Sequence, residues 1–282
     1  MNILSNTTEN YKRWKEKKLE SFTKNLDDLT VQINSPNAIS KHEKFRVINL
    51  LTNHNIVFFH IDKIVNTDKL SIKNFADQIG LGNYELDSQS DNDGLTEIKD
   101  TQDKDKLSEY VPYTNKELNW HTDGYYTDQN NSVLAWMLFC KVAAESGGTN
   151  KYLDHEIAYI LFNDKSDKLK DLMQHDACCI PTNILTNRKE VYNPVFMFRD
   201  EKLQMKFTMR EKNIIWNKKS VQAINILKSI IMESSDYHII KKLEPGNGVV
   251  TNNVIHMRTA FTNSKNKNRL LYRLRSKKRV IR

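Results

Sequence analysis

The sequence predicts a mainly β fold, a sandwich or jelly roll with helical additions. Three observations carry that expectation. Helical periodicity is concentrated at the front of the chain, apolar strand patterns dominate from Val133 onward, and the connections between those strands are long. The expected organisation is a single domain over residues 1–282: a helical N-terminal part with one strand over 1–85, a loop over 86–110, and a β core with a helical insert over 111–282.

In the front part, Tyr11, Trp14, Leu19 and Phe22 fall on one helical face. Ser40 with Glu43 has the spacing of a capping box and opens a helix that turns Phe45, Ile48 and Leu51 toward the core. Ile56 to Phe59 is an unbroken apolar run, read as a buried strand. Leu70, Phe75, Ala76 and Ile79 suit a helix that Gly80 stops. Residues 88–106 are polar and acidic, with a short strand expected at Leu95 to Ile98; the remainder reads as a mobile surface loop and a candidate lid. Strands are then expected at Val133 to Cys140, Val195 to Phe198, Leu203 to Thr208, Gly248 to His256 and Leu270 to Leu274. One helix, with Val221, Ile224, Leu227 and Ile231 on one face, interrupts them.

A length of 282 residues suffices for a full core, and 39% hydrophobic with 28% charged residues excludes wholesale disorder. The net charge of +8 gathers partly at Arg269, Arg273, Arg275, Lys277, Lys278, Arg279 and Arg282, which read together as a solvated end. No nucleic-acid-binding motif accompanies them, so no nucleic-acid partner is expected. The first residues lack the pattern of a secretory leader, and no apolar run is long enough to cross a bilayer, so no membrane partner is expected. Cys140, Cys178 and Cys179 are odd in number and lack ligand spacing, which reads as reduced packing thiols in a cytoplasmic protein.

The segment Trp120-His121-Thr122-Asp123-Gly124-Tyr125-Tyr126 carries the chemistry. Residues two apart in an extended backbone point the same way, so His121 and Asp123 can reach one point. A third ligand from a distant strand completes two histidines and a carboxylate on one face of an octahedron, with three positions left open. His256 is the candidate, at the end of a strand fed by the turn Pro245-Gly246-Asn247-Gly248, with Val250, Asn252, Val254 and His256 expected on one face. A second His-x-Asp triplet, His60-Ile61-Asp62, has no such frame and reads as structural. After His256, Arg269, Leu271, Arg273 and Arg275 face one way on a strand and Leu270, Tyr272 and Leu274 the other. Either this is an edge strand with a solvated basic face, or Arg269 lies inside and grips a carboxylate bidentately. Gly147-Gly148-Thr149-Asn150 supplies a tight turn with a hydroxyl or amide able to share that carboxylate.

Together these segments resemble the taurine dioxygenase-like (TauD/TfdA) family of Fe(II)/2-oxoglutarate oxygenases, from about residue 45 onward and most specifically over 112–156 and 243–275. The resemblance implies a double-stranded β-helix of clavaminate synthase-like type, with Fe(II) between its sheets and 2-oxoglutarate and O2 as co-substrates. His121, Asp123 and His256 match the metal ligands, and Arg269 the arginine that holds the far carboxylate of 2-oxoglutarate. Arg273 falls where some members bind an anionic group of the substrate. The family usually has Thr or Ser where this chain has Asn150, just after Thr149, which leaves both residues open as the co-substrate contact. The implied reaction converts 2-oxoglutarate to succinate and CO2 while oxidising a small molecule. Hydroxylation is favoured, and Asp123 argues against halogenation, since the related halogenases lack this carboxylate. Arg273 and Arg258 point to an anionic or zwitterionic metabolite; Tyr113, Gly124, Tyr125 and Tyr126 complete the candidate substrate side, its tyrosines able instead to cage a quaternary ammonium. The resemblance leaves a homo-oligomer open. Two other classes compete: a zinc-dependent hydrolase on the same triad, and a non-catalytic binding protein on the same scaffold.

Overall fold

The computed structural model describes residues 9–62, 67–86, 94–101, 111–184, 188–265 and 267–281. Its helices are α1 (Glu9–Glu20), α2 (Lys41–His54), α3 (Lys69–Gln78), α4 (His155–Lys165), α5 (Leu169–Leu172) and α6 (Val221–Glu233). The capping box at the start of α2 forms as expected: the Ser40 hydroxyl accepts the Glu43 N–H at 3.2 Å, and the Glu43 carboxylate accepts the Ser40 N–H at 2.6 Å.

A six-stranded sheet runs in the order β1 (Thr30–Gln32), β2 (Ile56–His60), β14 (Asn247–Thr251), β5 (Ala135–Val142), β17 (Leu270–Ser276) and β3 (Leu95–Lys99). A four-stranded sheet runs β13 (Ile239–Lys242), β7 (Thr149–Leu153), β15 (Ile255–Arg258) and β4 (Leu118–His121). Smaller pieces join β8 (Cys178–Ile180), β9 (Val191–Asn193) and β12 (Ile215–Trp216); β10 (Phe196–Arg199) with β11 (Lys202–Met205); and β6 (Ser146–Gly147) with β16 (Phe261–Thr262). The fold is thus mainly β with helices.

Three apolar cores show how the layers stack. Val47, Leu51, Ile72 and Phe75 of α2 and α3 cover one face of the six-stranded sheet, on Val57, Phe59 and Val250. The Phe59 and Phe75 rings sit 4.8 Å apart, and each such buried ring contributes about 1.5–3 kcal/mol by leaving water. Phe58, Trp136, Val249 and Leu271 of the opposite face meet Tyr152, Ile239 and Val254 of the four-stranded side. Beyond it, α4 and α6 pack Ile157, Ile160, Ile224 and Leu227 against Trp120, Leu153 and Ile255. Among the described residues no helix is long and apolar enough to cross a membrane.

Several expectations need correction. The expected strand Gly248 to His256 is two strands, β14 and β15, in different sheets. The break falls at Asn253, whose φ of 59° is left-handed, so Val250 belongs to the core under α2 while Val254 lies between the sheets. Phe45 and Leu70 are 51% and 61% exposed, and Val47 takes the inward place expected for Phe45. The helix α4 was not expected, because apolar residues surround it and leave no single stripe to detect. The basic end is solvated only in part: Lys278 is exposed, but Arg269 and Arg275 are buried, and Arg279 reaches the Glu156 carboxylate at 3.3 Å. Nor is β17 an edge, since β5 and β3 flank it. Most of the candidate lid lies outside the described residues.

A buried ionic cluster ties α1 to the rest. Lys18 on α1 lies 2.6 Å from Asp154 and 2.7 Å from Glu156 at the start of α4. Burial opposes the Glu156 charge, but Lys18, His155 and Arg279 outweigh it and bring its carboxyl down to about 2. Removing one partner of a buried pair strands the other, so Lys18→Met is expected to cost about 3–5 kcal/mol in urea unfolding. Because the Glu156 pKa is depressed on folding, its contribution is complete above the ordinary value of 4.5 and lost as pH falls toward about 2. Glu156→Gln is therefore expected to flatten the acid limb of stability in that window, as read by thermal melts across pH.

Candidate metal centre

The centre begins with backbone register. His256 on β15 stands directly opposite His121 on β4. Opposite residues of an antiparallel pair share a face, and the two imidazole centroids lie 4.3 Å apart. Each ring is oriented by its own strand. His121 Nδ1 is 2.8 Å from the Asn119 carbonyl oxygen, and His256 Nδ1 is 3.1 Å from that of Val254. A carbonyl only accepts, so each Nδ1 carries the proton and each Nε2 presents a lone pair inward. Asp123 Oδ1 lies 3.5 Å from His121 Nε2 and 3.6 Å from His256 Nε2. The three candidate ligand atoms are all within 4.8 Å of one another, and no second such group occurs among the described residues.

The charge states suit ligation. Burial disfavours the Asp123 carboxylate, yet the His121 contact and the charges of Arg273 and Arg275 hold its carboxyl well below the usual range. Burial and the adjacent His121 bring His256 down to about 3, leaving it neutral. Two imidazoles and a carboxylate on one side of a point are the donor set of a facial metal site. His60 and Asp62, the other triplet, pair with each other at 2.9 Å.

Past Asp123 the chain turns at Gly124, with φ of 65°, where a Cβ would lie 2.6 Å from Val133 Cγ2. Tyr125 and Tyr126 follow, their rings 5.3 Å apart edge to face. The Tyr126 hydroxyl accepts from Arg275 Nη1 at 2.9 Å, and the Arg188 guanidinium stands 5.6 Å over the Tyr126 ring. Arg275 also meets Glu85 at 2.8 Å. Arg273 is half-buried on the same strand. The alternation expected for β17 holds: Leu271 joins the core between the sheets, and Tyr272 and Leu274 the core under α2 and α3.

Arg269, at the other end of that face, is 4% exposed. Its guanidinium lies 4.9 Å over the Phe261 ring and has no hydrogen bond or ion pair to a described side chain or carbonyl. Burial brings its pKa down to about 10, which still leaves it cationic at neutral pH. Arg258 also contacts Phe261, at 4.8 Å, but its terminal nitrogens donate to the Pro112, Thr114 and Lys116 carbonyls. Tyr113, beside that segment, is buried between the sheets. Along β7, Asn150 and Tyr152 are buried while Thr149 and Lys151 are partly exposed. Asn150 Nδ2 and the Tyr152 hydroxyl are buried without a hydrogen-bond partner among the described residues, as is Trp136 Nε1, whose ring lies 4.6 Å from that of His256. The Tyr152 phenol, raised by burial, feels the charge of Arg269.

A buried cation and unmet donors are costly when left alone. Their presence behind the triad fits an anionic ligand rich in acceptors, and the triad itself fits a divalent metal. Sequence reasoning missed Tyr152, Trp136 and Asn253. Trp136 reads as an ordinary apolar residue of the expected strand Val133 to Cys140, and Tyr152 lies outside every expected strand. For Asn253, the pair Asn252-Asn253 inside an apolar run was the available signal, since asparagine tolerates the left-handed region.

A family model described as taurine catabolism dioxygenase TauD, TfdA family, matches residues 16–275. None of the curated proteins compared with the chain matches it. Among solved structures, asparagine oxygenase in complex with Fe(II), 3-hydroxyasparagine and succinate is similar with a TM-score of 0.61 at 12% identity, over 94% of this chain and 89% of that one. AAD-2 in complex with Mn(II) and N-oxalylglycine gives 0.62 at 14% identity, over 90% and 96%. A taurine dioxygenase from Burkholderia xenovorans gives 0.58 at 15% identity, over 88% and 87%. At these identities the likeness shows a shared fold, and with the family match over nearly the whole length it places this chain in the TauD/TfdA family.

Proposed function

We propose that this protein is an Fe(II)/2-oxoglutarate-dependent dioxygenase that hydroxylates a small anionic or zwitterionic metabolite, releasing succinate and CO2. The observation that carries this reading is Arg269, a buried cation without an acceptor among the described residues, set behind a facial His-Asp-His triad. A zinc hydrolase on the same triad has no use for it. Family membership supports the reading, as do the Fe(II) and succinate of the asparagine oxygenase complex. On the same reading the two facing sheets are the double-stranded β-helix.

Each residue then has a task. His121, Asp123 and His256 would hold Fe(II), and their orienting contacts keep the remaining positions on one side. When bound, the metal would supply activation of O2 against 2-oxoglutarate. Arg269 would grip the distal carboxylate, with Asn150 rather than Thr149 beside it, since only Asn150 shares the buried face of β7. Trp136 and Phe58, with the core between the sheets, exclude water from the co-substrate. Arg273 would face the anionic group of the substrate, with Tyr125 and Tyr126 as the neighbouring wall.

Anaerobic addition of Fe(II) and 2-oxoglutarate is expected to produce a visible charge-transfer band, absent in His121→Ala; a wild-type protein without that band would overturn the proposal. Arg269→Ala is expected to weaken 2-oxoglutarate binding by about 3 kcal/mol, roughly 150-fold, with Fe(II) binding unchanged. Substrate-dependent succinate release from pooled small metabolites then identifies the substrate class, and Arg273→Gln is expected to raise KM for an anionic substrate more than it lowers kcat.

A further inference from the structure

We infer that Asn253 is a positioning residue: one side-chain amide fixes the backbone of the carboxylate ligand and closes the base of the loop that carries Tyr125 and Tyr126. The inference rests on the reading of His121, Asp123 and His256 as a metal site.

The ladder that supports β4 from the side of Phe207 stops one residue short of the carboxylate. Thr122 N–H donates to the Phe207 carbonyl at 2.9 Å, and the Thr122 hydroxyl accepts the Phe207 N–H at 3.0 Å. Asp123 comes next, and its backbone groups go to Asn253 instead. Asn253 Oδ1 accepts the Asp123 N–H at 2.9 Å, and Asn253 Nδ2 donates to the Asp123 carbonyl at 3.0 Å. The same Nδ2 donates to the Val133 carbonyl at 2.7 Å, which uses both of its hydrogens. The amide thus acts as a substitute strand for one residue, pairing N–H and C=O together.

Three consequences follow from where Asn253 sits. It lies three residues before His256, so it joins the third ligand's segment to the second ligand. It occupies the crossing from β14 to β15, in the left-handed region at φ 59°, with its own N–H held by the Thr251 hydroxyl at 3.0 Å. It also brings Asp123 and Val133 to one atom, which closes the intervening loop and matches the tight approach of Gly124 to Val133. The buried amide leaves the carboxylate of Asp123 free of protein donors from this side while holding the backbone from which it projects.

A left-handed residue and a positioning amide are separable by substitution. Asn253→Gly keeps the backbone conformation and deletes the amide. The test compares wild type with Asn253→Gly in anaerobic Fe(II) titration and in the visible spectrum of the Co(II) form, with metal-free thermal melting as the folding control. The expected result is a folded variant whose metal dissociation constant rises about 10- to 100-fold with an altered Co(II) spectrum. Chymotryptic cleavage after Tyr125 or Tyr126 is expected to quicken. Asn253→Asp, which keeps the acceptor for the Asp123 N–H and loses both donors, carries the same measurements if the glycine variant does not fold. Metal affinity within twofold of wild type in a folded variant overturns the inference and leaves the metal site standing. A wild-type protein that binds neither Fe(II) nor Co(II) removes the metal reading and the inference with it.

Discussion

The pairing of His256 opposite His121 is the constraint on which the centre depends. Two strands far apart in sequence become neighbours in the four-stranded sheet, and that register sets the two imidazoles side by side, tilted by 46°. A slip of one residue on either strand would turn one ring to the far side, among the helices α4 and α6. The histidines are therefore held by main-chain hydrogen bonds of the sheet and by their own Nδ1 contacts, not by a metal. This is the rigidity a ligand set needs when three coordination positions must remain open.

The charges around this pairing divide into satisfied and unsatisfied sets. Lys18, Asp154, Glu156 and Arg279 neutralise one another at the start of α4 and fasten the first helix to the body. Arg258 is occupied by carbonyls of the 112–116 segment. Arg269 differs from both. Burying a cation with only an aromatic face for company opposes folding, and such a cost persists where a ligand relieves it. The same holds for the unmet donors of Asn150 and Tyr152 on the adjoining strand. Stability and binding are thus coupled through the same few groups.

Much of the centre was legible because it lies in local spacing. His121 and Asp123 two apart, and the alternation from Arg269 to Arg275, are properties of extended chain that need no tertiary knowledge. The third candidate ligand, His256, was legible for a partly mistaken reason. The run from Gly248 to His256 reads as one strand because both of its halves are apolar, yet they belong to different sheets, and the pleat count from Val250 to His256 has no meaning across the Asn253 crossing. The helix α4 escaped because it is covered on most sides, so its apolar residues show no period. The short strands β4, β7 and β13 escaped because four or five residues carry too little pattern. Burial of Arg269 was one of two readings the strand left open, and that of Arg275 could not be read at all, since charge in sequence reports composition and not the depth at which a strand is threaded.

The placement of β17 inside the sheet makes it a ruler. Its inner face carries Arg273 and Arg275, and Arg269 stands one residue before its first paired position, across a register shift between Leu270 and Leu271; four residues of extended chain separate Arg269 and Arg273 by roughly 13 Å. The strand between them is hydrogen-bonded on both flanks, which fixes the interval between their backbones. On the proposed reading, the co-substrate and the substrate meet the metal from stations whose interval the backbone dictates. A relative that accepts a longer or shorter anion would then change which rung bears the arginine, not where the strand lies.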